Sequence, residues 1–225
     1  MRGLYKLITW PNNFEEARRI QESLAARIEL VPFKAKLKLI AGVDAAFSET
    51  RVSAAACLFS YPDLELVEET IAAAEIRFPY VPGFLSFREG PAFIKAVRRL
   101  KTKPDLILVD GQGIAHPRGI GIASHLGVLL DMPTIGCAKS RLIGEFPEPG
   151  PKKGNWSPLL HQGQIIGAVL RTRTGIRPLF ISPGHKINLE NSIEIALACA
   201  RHYRIPEPLR RADFLSKKIS KTAGV

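Results

Sequence analysis

The sequence predicts an α/β fold in which helices flank a mixed β-sheet. Three β-rich runs, 37–47, 53–60 and 64–72, are joined by short polar turns, and connections this short require an antiparallel meander. After residue 89, helix-like and strand-like segments alternate, which predicts parallel strands covered by helices. A meander followed by two βα units is the strand order of a ribonuclease-H-like fold.

An amphipathic helix from about Asn13 to Ile28, with Asn12 or Asn13 as its cap, is predicted before the sheet. The pattern weakens beyond Lys139, and we expect a loop from Gly144 to Pro158 because that stretch is rich in proline and glycine. The other predicted elements after the meander are helices at 89–101, 119–130, 188–201 and 207–218, and strands at 105–110, 133–138, 164–171 and 178–181.

The length and composition predict one domain over residues 1–225, since 46% of the residues are hydrophobic. No apolar stretch is long enough to span a bilayer, and Met1–Lys6 lacks the core of a signal peptide. We therefore expect a cytoplasmic monomer with no membrane partner. Cys57, Cys137 and Cys199 are odd in number and far apart, a pattern that suggests neither a disulfide framework nor a zinc site.

The formal net charge is +11, and the basic residues are spread along the chain, with distinct basic faces marked by the stretches 34–38, 98–103 and 210–221. A polyanionic partner explains this excess, because cationic side chains gain free energy by releasing condensed counterions from nucleic acid. A generally basic, solvated surface is the alternative. Charge does not distinguish DNA from RNA.

Two acidic residues directly follow apolar runs. Asp44 follows Leu39–Val43 and Asp110 follows Leu106–Val109, and runs of this kind are typical of buried strands. If the two strands pair, both carboxylates leave the sheet at one edge, where Glu89 at the start of a helix adds a third acid. Oxygen ligands of this kind suit Mg²⁺, so the sequence predicts a metal site. Each acid taken alone is equally well explained as a cap or turn residue.

These acids belong to motifs that resemble those of the Endonuclease V family, the deoxyinosine 3′ endonucleases. The resemblance covers nearly the whole chain and implies a ribonuclease-H-like core with Mg²⁺, or Mn²⁺ in its place, and no organic cofactor. It also implies cleavage of the second phosphodiester bond on the 3′ side of a deaminated base, leaving 3′-hydroxyl and 5′-phosphate ends. The motifs are Ala41–Asp44, Phe78–Gly83, Phe87–Pro91, Asp110–Arg118, Gly121–His125 and Ile135–Ser140.

The resemblance implies that Asp44, Glu89, Asp110 and Lys139 form the catalytic site. The three acids would hold the metal, with Asp213 as a further ligand, although some relatives have a histidine at its position. Lys139 ends the strand predicted beside the one that closes at Asp110, so its ammonium group is expected near the scissile phosphate.

A proline-bracketed segment and two glycine-rich motifs are expected to bind the substrate. Two prolines stiffen the chain around Tyr80, which would act as a wedge between bases, while the glycines allow the backbone to approach a flipped base. The alternatives are that Tyr80 packs on the core, that the glycines only satisfy turn geometry, and that His116 is a structural hydrogen-bonding residue. The predicted set is Pro79, Tyr80, Val81, Pro82, Gly83, Gly111, Gly113, His116 and Gly121.

Two other functions compete with cleavage of DNA that contains deoxyinosine. One is cleavage at inosine in RNA, which would require contacts to a 2′-hydroxyl that the sequence does not display. The other is a non-catalytic, basic nucleic-acid-binding protein whose acids are structural. That protein would bind nucleic acid in the presence of EDTA and would not cut it, whichever metal is supplied.

Overall fold

The structure is a computed structural model that describes residues 10–222, with side chains described through Ile219. The start of the chain, including Met1–Lys6, lies outside the described residues. The described elements, in chain order, are α1 (Phe14–Ala25), β1 (Leu39–Phe47), β2 (Arg51–Ser60), β3 (Leu66–Glu75), α2 (Leu85–Arg99), β4 (Leu106–Val109), α3 (Ile122–Leu130), β5 (Thr134–Ala138), β6 (Trp156–His161), β7 (Gln164–Leu170), β8 (Leu179–His185), α4 (Leu189–Cys199) and α5 (Glu207–Thr222).

The strands form one mixed sheet in the order β3-β2-β1-β4-β5-β8-β7-β6. Strands β1, β2 and β3 form an antiparallel meander, and β4 and β5 extend the sheet in parallel with β1. The antiparallel strands β8, β7 and β6 complete it on the side of β5. The predicted fold class, a mixed sheet built from a meander and parallel strands, is confirmed.

Both faces of the central strands are buried. In β4, Ile107 and Val109 face a core layer shared with α2 and α3, whereas Leu106 and Leu108 face a layer shared with α4 and α5. Burial on both faces explains why the central strands are apolar runs rather than alternating patterns. The three cysteines are buried free thiols within these layers or at the neighbouring helix α4.

Of two boundaries near the acids, one agrees with the prediction and one differs. Strand β1 passes Asp44 and ends at Phe47, as the run 37–47 predicts, and forms the first arm of the hairpin with β2. Its pairing with β4 ends at Val43 opposite Val109, so Asp44 lies at the edge of the parallel strands. Helix α2 begins at Leu85, which places Glu89 in its second turn instead of at its start.

The C-terminal half of the sheet contains more strand than predicted. Strand β6 begins at Trp156, inside the expected loop, and contains Pro158 at the open edge of the sheet, where the missing backbone N–H costs no ladder hydrogen bond. Strand β8 continues to His185 through Pro183, and its pairing with β5 shifts register beside that proline. At the N-terminus of α1, the side chain of Asn13 accepts a hydrogen bond from the Glu16 backbone N–H, as expected of a cap.

Among the helices of residues 10–222, none combines the length and the apolar character needed to cross a membrane.

Candidate metal centre and adjoining cavity

Three aspartates from distant parts of the chain meet at the edge of the sheet. Asp44 lies in β1, Asp110 follows β4, and Asp213 lies in α5. Each contributes a carboxylate oxygen to a group whose members lie within 4.8 Å of one another. The Asp110 backbone N–H donates to the Val43 carbonyl at 3.2 Å, so the first two acids follow directly from the pairing of β1 with β4.

Asp213 joins this group because α5 lies directly against the backbone of β1. A Cβ atom at Gly42 would fall 2.2 Å from the Pro208 carbonyl carbon and 2.6 Å from the Leu209 nitrogen, so only glycine permits this approach. The side chain of Arg211 fixes the same helix by pairing through two nitrogens with both carboxylate oxygens of Glu69 on β3. The helix position therefore depends on contacts made by the residues just before Asp213.

The carboxylates of this edge are electrostatically strained in the absence of a cation. Burial, with the Asp110 charge as the second cause, raises the pKa of Asp44 to about 8. Burial also raises the pKa of Glu89 to about 8, with Asp44 and Asp110 adding to the shift. For Asp213, burial acts to raise the pKa, but hydrogen bonds with Lys217 and Asp44 outweigh it, and its pKa is lowered.

Lys139 partly compensates this negative charge. Its ammonium group forms an ion pair with Asp110, and its Nζ lies 3.6 Å from Asp213 Oδ1. Burial acts to lower the pKa of Lys139, but the neighbouring carboxylates outweigh it and raise the pKa. Hydrogen bonds from Arg204 fix the backbone of Lys139, since Arg204 Nη2 donates to the Lys139 and Pro178 carbonyls, each at 2.9 Å. Arg204 was not predicted as a site residue.

The donor set fits a divalent cation. Mg²⁺ binds oxygen ligands at about 2.1 Å, so ligands on opposite sides of it lie about 4 Å apart, and oxygens within 4.8 Å of one another need little movement to bind one ion. Three carboxylates also supply the charge of a hard-cation site and none of the sulfur or imidazole ligands that favour zinc. Glu89 does not belong to the three-oxygen group, although its charge interacts with those of Asp44 and Asp110.

A cavity of about 480 Å³ adjoins the aspartate cluster. Most of the site residues predicted from the sequence line it. Two of the metal-site acids, Asp44 and Asp110, line it, as do Glu89 and Lys139. Pro79, Gly113 and Asp213 are not among its lining residues. Of the predicted substrate-binding residues, those in the cavity wall are Tyr80, Val81, Pro82, Gly83, Gly111, His116 and Gly121.

Two loops contribute to this wall, and we call residues Pro79–Gly83 the tip loop and residues Gly111–Gly121 the glycine loop. In the tip loop, Tyr80 is 68% exposed, so the structure does not pack it on the core. In the glycine loop, a Cβ at Gly113 would lie 2.0 Å from the Pro183 carbonyl oxygen, and one at Gly121 2.3 Å from the Gln112 carbonyl oxygen. Gly113 therefore permits close packing of the loop against β8, and Gly121 permits close packing within the loop.

His116 uses both ring nitrogens in structural hydrogen bonds. Its Nδ1 accepts from the Arg118 backbone N–H at 3.1 Å, which leaves Nε2 to donate to the Gly83 carbonyl at 3.0 Å. Burial lowers the pKa of His116 to about 4, so the ring is neutral near pH 7. Further cavity residues that were not predicted are Phe47, Leu85, Ser86, Gln112, Ile120, Ile122, Ala138, Ser140, Arg141 and Leu142.

The raised carboxyl pKa values predict that the cation-free protein loses stability as pH rises. An acid whose pKa is raised on folding stabilises the folded state most below its unfolded pKa of about 4 and loses this contribution as pH rises through the folded value of about 8. From pH 7 to 8.5, Asp44 and Glu89 together should lower the free energy of unfolding by about 2 kcal/mol. This range avoids the opposite effect of His116 and His125, whose pKa values are lowered by burial and which act below about pH 6.5.

Denaturant unfolding in EDTA at the two pH values measures this change. The slope of the unfolding free energy against pH should be smaller in the Asp44→Asn variant than in the native protein, while the three buried cysteines, whose pKa values are also raised, contribute equally to both. Equal slopes in the two proteins would contradict a role for the Asp44 charge.

The mixed sheet with acids converging at the edge of its parallel strands, set in a basic chain, defines the class of this protein as a nuclease with a ribonuclease-H-like sheet. Residues 22–214 match the family model for Endonuclease V. The Endonuclease V of Rippkaea orientalis is 52% identical over 208 residues, which cover 92% of this chain and 91% of that protein. The chain belongs to the Endonuclease V family.

Solved structures of the family agree with the fold. The crystal structure of the Endonuclease V from Streptomyces avermitilis is 41% identical, with a TM-score of 0.92 and 96% of each chain covered. The Endonuclease V of Ciona intestinalis is 31% identical, with a TM-score of 0.82, covering 93% of this chain and 98% of that one. The Ciona structure is a complex with a 24mer DNA containing an inosine followed by a ribo-adenosine.

Proposed function

We propose that the protein is a metal-dependent endonuclease of DNA repair, a monomer built from a single domain, that cuts DNA at deoxyinosine. The bond cut would be the second phosphodiester on the 3′ side of the lesion, leaving 3′-hydroxyl and 5′-phosphate ends. The observation that carries the proposal is the convergence of Asp44, Asp110 and Asp213 beside the cavity. The inosine-containing DNA bound by the Ciona relative supports the choice of substrate.

The acids and Lys139 would act in the reaction through their charges. Asp44, Asp110 and Asp213 would hold Mg²⁺ or Mn²⁺, with Glu89 as the buried acid beside them. A bound divalent cation would supply Lewis-acid activation of water and stabilisation of the leaving oxygen. Lys139 places its ammonium next to Asp110, where it would meet the scissile phosphate.

The base would be held in the cavity between the tip loop and the glycine loop. A wall formed largely by backbone and apolar side chains reads a base by its edges, and a close fit excludes the amino group that distinguishes guanine from hypoxanthine. The exposed Tyr80 at the rim would fill the space that the flipped base leaves in the helix.

Cleavage of a deoxyinosine oligonucleotide tests the proposal. We expect scission with Mg²⁺ or Mn²⁺, none in EDTA, and none of a matched oligonucleotide with deoxyadenosine in place of deoxyinosine. Mapping the ends of the product determines which bond was cut. Binding to the oligonucleotide in EDTA, with no scission under any divalent metal, would instead identify a non-catalytic nucleic-acid-binding protein.

A second candidate is cleavage at inosine in RNA, which is favoured by the ribo-adenosine in the Ciona complex. The two candidates are separated by three strands of one sequence: all deoxyribose, all ribose, and deoxyribose with a single ribonucleotide after the inosine. Preference for DNA predicts similar rates on the first and third strands. Cutting that requires the 2′-hydroxyl predicts scission of only the second and third.

The Tyr80→Ala variant should lose activity mainly on duplex DNA. The side chain is 68% exposed and makes little contribution to the core, so the folded protein should be retained. A wedge is needed only where strands must be separated, so we expect about a tenfold loss on a duplex and less than about twofold on the single strand. Single-turnover rates on the two substrates measure the ratio, and equal losses on both would contradict the wedge.

A further inference from the structure

Gln21 is a polar residue at a position where helix α1 is otherwise apolar. The buried face of α1 consists of Ala17, Gln21 and Leu24, and the side chain of Gln21 is completely buried. A buried amide is costly unless its donor and its acceptor are both satisfied. Here both are: Nε2 donates to the Gly83 carbonyl at 2.9 Å, and Oε1 accepts from Arg118 Nε at 2.5 Å.

The Gly83 carbonyl is the meeting point of a larger network. Besides Gln21, it accepts from Arg118 Nη2 at 2.7 Å and from His116 Nε2 at 3.0 Å. Gly83 itself has a φ of +84°, a backbone conformation that favours glycine. Three donors from two other segments therefore converge on the residue that ends the tip loop.

Arg118 connects the network to the residue that follows the tip loop. Its guanidinium carbon lies 4.4 Å from the centre of the Phe84 ring, directly after the tip loop. The same guanidinium binds both Gln21 and Gly83, so the glycine loop, the tip loop and α1 are joined at one place. Gly83 and His116 line the cavity, whereas Gln21 and Arg118 are not among its lining residues.

We propose that Gln21, together with Arg118, is a positioning residue that fixes the tip loop against the glycine loop before the substrate arrives. This proposal rests on the proposed function for its effect on catalysis, but not for its effect on the loop. A loop that is already ordered costs less free energy to bind DNA, so the network lowers the concentration of substrate needed for half-maximal rate. Gln21 acts through Gly83 and does not touch the reacting atoms.

The Gln21→Met variant removes both hydrogen bonds and keeps the length and volume of the side chain. We expect the backbone amide of Phe84, which donates to the Val81 carbonyl of the tip loop at 3.0 Å, to exchange hydrogen for deuterium about tenfold faster in the DNA-free protein, because a buried hydrogen-bonding network has lost its centre. With deoxyinosine DNA and Mg²⁺, KM should rise about tenfold while kcat changes less than about twofold.

The matched control is Ser23→Gly, at an exposed position two residues further along α1. Glycine weakens the helix by its backbone freedom and leaves the network intact. We expect it to lower the free energy of unfolding without changing exchange of the Phe84 amide or KM. If Gln21→Met and Ser23→Gly behave alike in exchange, Gln21 only supports the helix, and the proposal is overturned.

The exchange measurement needs neither metal nor DNA, so it remains decisive if the native protein cuts no deoxyinosine DNA. Faster exchange in Gln21→Met with unchanged KM would show that the network orders the loop but contributes nothing to binding, which overturns the catalytic part of the proposal. A fall in kcat with unchanged KM would do the same, because it would place the effect after binding.

Discussion

Asparagine in place of Asp110 should reduce the rate of scission at least about a thousandfold, equivalent to about 4 kcal/mol in the barrier, while the protein stays folded. The substitution keeps the shape of the side chain and removes one of the three anionic groups that lie within 4.8 Å of one another. It also removes the anionic partner of Lys139. Both changes act at the place where the cation and the scissile phosphate would be held.

The stability of the Asp110→Asn variant should not fall with its activity. Asp110 raises the pKa of the buried Asp44 and of Glu89, so the loss of its charge relieves repulsion in the cation-free protein. We expect a free energy of unfolding in EDTA that is equal to or above that of the native protein. A lower value would mean that Asp110 stabilises the fold through its charge.

Asp105→Asn provides a matched control at the other end of the same strand. Asp105 accepts hydrogen bonds from the backbone N–H groups of Lys38 and Leu39, each at 2.9 Å, and so has a structural role. This variant should lose some stability and retain scission within about twofold, measured as single-turnover rates on the folded protein. Scission retained by Asp110→Asn itself would remove Asp110 from the mechanism.

Gly42→Ala should strongly destabilise the protein, because the added methyl group has no room. The new Cβ would lie 2.2 Å from the Pro208 carbonyl carbon and 2.3 Å from its oxygen, and both are backbone atoms that cannot rotate away. Either β1 or α5 must move, and we expect a loss of about 3 kcal/mol or more in the free energy of unfolding. Because α5 carries Asp213, the surviving folded protein should also need more Mg²⁺ for half-maximal scission.

Urea unfolding compares this variant with Gly119→Ala, where a Cβ would meet nothing within 4 Å but the φ of +64° disfavours alanine. That control should cost about 1 kcal/mol through backbone strain alone. If Gly42→Ala costs no more than the control, α5 does not depend on close contact with β1.

The proximity of Asp44 and Asp110 was predictable from the sequence, whereas the position of Glu89 within α2 was not. Apolar runs before both aspartates predict buried strands, and the order of elements makes those strands neighbours. The start of α2 gives a weaker signal: Phe84 at its cap makes no side-chain capping hydrogen bond, and Pro91 inside the helix resembles a first-turn proline. The helix was therefore predicted to start one turn too late.

Strand β6 and the role of Gln21 could not be predicted from the sequence, because both depend on contacts between segments that are far apart along the chain. Pro158 argues against a strand unless the strand is known to lie at a sheet edge, and that knowledge requires the order of all eight strands. Gln21 was detectable as a polar residue at the helical spacing of Ala17 and Leu24. Its two partners, however, come from segments far along the chain, so its role follows only from the fold.

The cluster of aspartates draws on both ends of the described chain, since β1 is the first strand and α5 the last helix. During synthesis, the sheet can begin to form long before the residue at position 213 leaves the ribosome. A nascent or truncated protein without α5 has only two of the three acids, together with an uncovered apolar face on β1 and β2. Unfinished copies are thus expected to lack cleavage activity and to expose the apolar surface that α5 would otherwise cover.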